Sequence, residues 1–70
     1  MTEIGSPVAG NVWQILVAVG DVVEAGQELI VLESMKMEIP VEAPHNGTVV
    51  ALATEDGASV EAGDLLITLE

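Results

Sequence analysis

Displaced by 37 residues, the segment 6–33 lies over 43–70 without a gap, and twelve of the 28 aligned positions are identical. Pro7 falls on Pro44, Gly10 on Gly47, Val12 on Val49 and Gly20 on Gly57. Val23-Glu24-Ala25-Gly26 falls on Val60-Glu61-Ala62-Gly63, and Leu29, Ile30, Leu32 and Glu33 fall on Leu66, Ile67, Leu69 and Glu70. Two copies are too few for a solenoid, whose repeats each need stacked neighbours. They suit a closed domain with pseudo-two-fold symmetry, in which each half completes the core of the other. The halves are about 1–33 and 38–70, joined by a hairpin over 34–37, and together they form one domain over 1–70. Seventy residues leave no room for a second one.

Each copy reads as strands and tight turns. Asn11 to Val17 and Thr48 to Thr54 are rich in β-formers, and each follows a Pro-x-x-Gly segment. Gly20 and Gly57 introduce short pieces, Val22 to Glu24 and Ser59 to Glu61, each closed by Ala-Gly. In Glu28 to Glu33 and Leu65 to Glu70, the period-2 pattern points Ile30, Leu32, Ile67 and Leu69 inward and Val31 and Thr68 outward. Glu38 to Glu42 alternates likewise, with Ile39 and Val41 inward. Its counterpart is Met1 to Gly5, where Ile4 matches Val41. Pro40 has no N–H to donate, which assigns this strand to a sheet edge or an unpaired side. No segment sustains a 3.6-residue period. The expected class is all-β, a flattened antiparallel barrel or sandwich with four strands per half.

A domain of this size buries only about 60% of its unfolded surface, so its patterning must be good. The chain has no cysteine and a single aromatic residue, Trp13, so the core has to be built from Val, Ile, Leu and Ala. A net charge of −11 opposes binding to nucleic acid or to anionic membranes and favours a soluble monomer. No apolar run approaches the ~20 residues of a membrane helix, and the N-terminus does not read as a signal peptide. The expected location is the cytoplasm.

Lys36 is the only lysine and there is no arginine. It lies in Glu33-Ser34-Met35-Lys36-Met37-Glu38, where the chain must reverse between two strands. Inward residues must face inward residues, so paired residue numbers sum to an odd value; 69, 71 and 73 all satisfy this. A sum of 71 leaves Met35-Lys36 as the tip. That turn would break two local rules, since two-residue hairpins favour Asn, Asp or Gly and since Glu33 would face Glu38. Local rules that fail together mark functional sites. The counterpart of residue 36 one repeat earlier falls just before the chain begins. The lysine and the chain ends should therefore occupy opposite poles.

Glu-Ser-Met-Lys-Met-Glu, the Pro-x-x-Gly segments and Gly-Asp-x-Val-x-x-Gly at Gly20 to Gly26 resemble the biotinyl domain of biotin carboxyl carrier proteins. The likeness runs from about Glu3 to Glu70 and is strongest to the short, free-standing biotin/lipoyl attachment proteins. It implies a flattened barrel of two four-stranded sheets and covalent biotin on Lys36, with Met35 and Met37 as flanking recognition residues. It implies a carrier without catalytic residues of its own. Its partners would be a biotin protein ligase, a biotin carboxylase, and a carboxyltransferase acting on an acyl-CoA or keto acid. Lipoate on the same lysine is the near alternative, although lipoyl domains usually show Asp-Lys-Ala. Some biotinyl domains carry an inserted thumb in the first half, which the gapless repeat excludes here.

Other functions fit the residues less well. His45 reads as a solvated turn residue, and Ser6, Ser34 and Ser59 have no histidine partner in the pattern. A Schiff-base lysine would need a desolvated pocket rather than a hairpin tip. No Asp-x-Asp-x-Asp-Gly calcium loop is present. A plain interaction module would leave the Met-Lys-Met tip without a purpose.

Overall fold

A computed structural model describes residues 1–70 and consists of strands and turns, without helix. In chain order the strands are β1 (Thr2–Gly5), β2 (Gly10–Ile15), β3 (Val22–Val23), β4 (Glu28–Ser34), β5 (Met37–Glu42), β6 (Gly47–Leu52), β7 (Ser59–Val60) and β8 (Leu65–Leu69). They form two four-stranded sheets, in the orders β1-β8-β6-β3 and β5-β4-β2-β7. Each sheet mixes strands from both halves, which is why neither copy can close a core alone. The second sheet contains the central hairpin and is called the hairpin sheet below.

The core is aliphatic, as the composition requires. Val12, Leu29, Ile30 and Leu32 from the first copy pack with Val49, Leu66, Ile67 and Leu69, their repeat equivalents. The strict alternation expected of β4 and β8 is interrupted. The register between β4 and β5 shifts between Glu28 and Ile30, so Leu29 is an extra residue and turns inward beside Ile30. The β1–β8 pairing shifts in the same place, which buries Leu66 beside Ile67. Such bulges bend a strand and re-aim its side chains; here each adds one leucine to a small core. Val31 does lie on the outer face, but it is covered there rather than solvated, at 9% exposure.

Hydrogen bonds obey the repeat too. Gln27 Oε1 accepts from the Glu24 N–H (3.1 Å), and Asp64 Oδ2 accepts from Glu61 N–H (2.8 Å). Around His45 the copies diverge. His45, expected as a solvated turn residue, is half-buried: its Nε2 lies 2.7 Å from Thr2 Oγ1 and its Nδ1 2.7 Å from the Asn46 carbonyl oxygen. Its equivalent Val8 and the equivalent of Thr2, Ile39, both pack against the core instead. A polar clasp holds the terminal strand where an apolar contact serves the hairpin.

That clasp also locates the chain ends. Thr2 pairs with Leu69, and Glu70 N–H donates to Thr48 O (2.9 Å), so both termini sit by the turn after β5. The hairpin lies at the start of β5, six residues away. At about 3.3 Å per residue that separates them by about 20 Å. The long axis of the molecule is 30 Å, so lysine and termini occupy opposite poles, as the repeat requires.

Gly10 supports the hairpin directly. A Cβ at this position would overlap the carbonyl oxygen of Glu33, a rigid backbone atom. Gly10→Ala should therefore force β2 away from β4 and cost about 2 kcal/mol or more, within the range of overpacked sites. Urea unfolding measures this, and a loss below about 0.5 kcal/mol would show that the strands separate freely.

Candidate functional site

The site is the turn between β4 and β5. Pairing runs Ile30–Val41, Val31–Pro40, Leu32–Ile39, Glu33–Glu38 and Ser34–Met37. Every one of these pairs sums to 71, so Met35 and Lys36 are the two residues of the tip. Pro40 lies on β5, the edge strand of its sheet. Pattern alone had left three registers open. The core selects among them, because only this one sets Leu32 against Ile39 and Ile30 against Val41 with the bulge at Leu29.

Met35 and Lys36 have φ of 52° and 64°. Positive φ at both central residues is the type I′ arrangement, whose twist matches that of the flanking strands. Residues with a Cβ pay about 1–2 kcal/mol each for that conformation, and neither position is the usual Asn or Gly. Two anchors hold the turn closed. One is the β4–β5 ladder, and the other is Ser34 Oγ, which donates to Ala9 O at 2.8 Å. The sequence reading missed that second anchor, along with the close approach of Gly10 to Glu33. Their signal was the Pro-x-x-Gly segment, which reads as a turn without revealing what it touches.

Lys36 is exposed, and so are both its neighbours, Met35 at 92% and Met37 at 64%. Large apolar side chains standing this far out of a small domain are characteristic of surfaces that another protein covers. Glu33 and Glu38 face each other across the hairpin behind the tip, as like charges. The tip is thus one amine between two apolar side chains, with carboxylates behind it. No three acidic or histidine side chains converge to hold a metal ion.

The family described as "Biotin-requiring enzyme" matches residues 1–69. The chain belongs to this biotin/lipoyl family. A biotin/lipoyl attachment protein of Bacillus subtilis (strain 168) is 48% identical over 61 residues, covering 87% of this chain and 84% of that protein. A biotin carboxyl carrier protein of Streptococcus mutans is 45% identical over 64 residues, 91% of this chain and 49% of its relative. Among solved structures, the Kluyveromyces lactis urea carboxylase matches with a TM-score of 0.93 at 39% identity, over 99% of this chain and 6% of the larger one. Biotin/lipoyl domains of this family therefore occur both as short proteins and as small parts of large carboxylases.

The strained turn makes a prediction of its own. Met35→Gly relieves the positive-φ cost at one tip position and should stabilise the domain by about 1 kcal/mol. The same change removes an exposed apolar side chain beside Lys36, and, if the tip takes a covalent group, should slow its attachment. Urea unfolding and intact-mass kinetics read the two effects separately. A variant that is both more stable and modified at the wild-type rate would show that the methionine has no recognition role.

Proposed function

We propose that this domain is a biotin carrier, with biotin joined through an amide to Lys36 Nζ. The observation that carries this reading is the only lysine of the chain, exposed at the apex of a strained type I′ turn between two exposed methionines. The residues present fit such a group. The tip is convex and solvent-facing, so acylation of Nζ displaces no packed atom.

When attached, biotin supplies a ring that accepts a carboxyl group at one active site and releases it at another. The chain does the rest by position. The β4–β5 hairpin holds Nζ away from the body of the domain, and tethering makes the second encounter effectively intramolecular. Met35 and Met37 give a biotin protein ligase an apolar handle on either side of the amine. The acidic surface keeps the carrier soluble in the cytoplasm. Catalytic groups belong to the partners, a biotin carboxylase and a carboxyltransferase whose acceptor is an acyl-CoA or a keto acid.

Co-expression with a biotin protein ligase, and separately with a lipoate ligase, followed by intact mass, tests this. One biotin per chain and no lipoyl adduct is the expected result. A lipoyl adduct alone would replace the reading with its near alternative, and no adduct from either ligase would end it.

A further inference from the structure

The outer faces of the two sheets are related by the internal repeat, so each is a control for the other. On the hairpin sheet, β4 and β5 present three outward cross-strand pairs: Glu33–Glu38, Val31–Pro40 and Glu28–Glu42. All four glutamates are exposed. Gln14 of β2 stands opposite Val31 on the other side, and the register shift beside it makes Trp13 an extra residue on that strand, 53% exposed. The result is an apolar strip in which Trp13 and Pro40 are exposed and Val31 lies covered between them, framed above and below by paired carboxylates.

Sequence equivalence gives the corresponding residues of the other sheet. Thr68 stands for Val31, Glu3 for Pro40, Leu65 for Glu28, Gly5 for Glu42 and Val50 for Trp13. Neither the strip nor the second glutamate pair is present there. Folding alone therefore does not demand them, because the same fold position works without them. Directly opposed like charges oppose pairing, and the chain's only lysine or arginine lies at the tip, about 20 Å along β5 from Glu42.

We infer that this face docks a basic protein surface, one with arginine or lysine side chains spaced to meet the Glu28–Glu42 row and an apolar contact for Trp13 and Pro40. The inference rests on the carrier reading above, and it assigns the face to the biotin carboxylase. A ligase must bring its active site to Nζ itself and so has to enclose the tip. A carboxylase works at the far end of the arm and has to hold the body of the domain while leaving the tip free; a carboxyltransferase shares that requirement, and the test separates the two. Glu28 and Glu42, at the end of the hairpin sheet remote from Lys36, are placed for the second task. Opposite charge would also speed the encounter and make it sensitive to salt.

The test uses the biotinylated domain, the cognate biotin carboxylase, ATP and bicarbonate. In Glu28→Gln/Glu42→Gln the KM of the carboxylase for the carrier should rise about fivefold or more at unchanged kcat, with a shallower dependence on salt. Trp13→Val, which installs the residue type of the other copy, should raise KM as well. Biotin loading by the ligase should change less than about twofold, and the melting temperature of the double variant should be unchanged or higher. A wild-type KM in both variants overturns the assignment, and so does a defect confined to loading or to transfer by the carboxyltransferase. Failure of the wild-type chain to accept biotin would instead sink the carrier reading itself, and it is seen by mass before any variant is made.

Discussion

Lys36→Arg should abolish biotin attachment while leaving the fold intact. Arginine keeps the positive charge and the length of the side chain, so solubility and the tip's surroundings change little. Its guanidinium stays protonated at any accessible pH and offers no amine to acylate. The chain suits this test because it contains only two amines, Lys36 Nζ and the N-terminus of Met1. Those two groups sit at opposite poles of the domain, so a ligase bound at the hairpin has no second target within reach. Intact mass after co-expression with the ligase should show complete loss of the biotin adduct. The melting temperature should stay within about 2 °C of wild type, as expected for an exposed position. An adduct that survives the substitution would move the site away from the hairpin.

Truncating the core should have the largest effect on stability. Leu32 is fully buried and paired with Val12 on one side and Ile39 on the other. Leu32→Ala should cost about 2–5 kcal/mol through lost burial and the cavity left behind. A 70-residue domain has a total stability of only about 3.5–10 kcal/mol to lose, so much of the population could unfold at 37 °C. Leu69, its repeat equivalent and equally buried, should lose a similar amount on truncation. The two differ in what lies beyond them. Leu32 sits two residues before Ser34 and the Met35-Lys36 turn, whereas Leu69 pairs with Thr2 at the terminal pole. Under conditions where both variants remain folded, Leu32→Ala should slow biotin loading more than Leu69→Ala does. Urea unfolding measures the first claim. A cost below about 1 kcal/mol for Leu32 would mean that the core rearranges to fill the gap, against the close packing expected of it.

Some of these features are set by the order of residues along the chain. Lys36 as the candidate residue needed only counting, since one lysine in a chain of 70 residues leaves little choice. The all-β class and the inward positions of Ile30, Leu32, Ile39 and Val41 followed from alternation, because a side chain on a strand faces one side or the other. The separation of the lysine from the termini followed from the repeat, because pseudo-symmetry carries the hairpin onto the gap between the chain ends.

Other features depended on contacts between residues far apart in the chain. The bulges at Leu29 and Leu66 break the alternation that a strand pattern assumes, and they appear only when β4 meets β5 and β8 meets β1. The clasp between His45 and Thr2, and the bond from Ser34 to Ala9, join residues whose spacing in the chain carries no signal. The register of the hairpin belongs here as well. Parity permits three tips, and core packing admits one, placing Met35 and Lys36 in a left-handed turn that their own preferences oppose.

The sequence by itself determined which face of each strand is apolar, how the two halves correspond and which residue bears the amine. All three are set by side-chain identity and order along the chain. The tertiary structure alone decided how the strands slide past one another and which carboxylates stand in rows beside the tryptophan. Those depend on distances across the fold, and two positions many residues apart acquire a distance only when the core between them has closed.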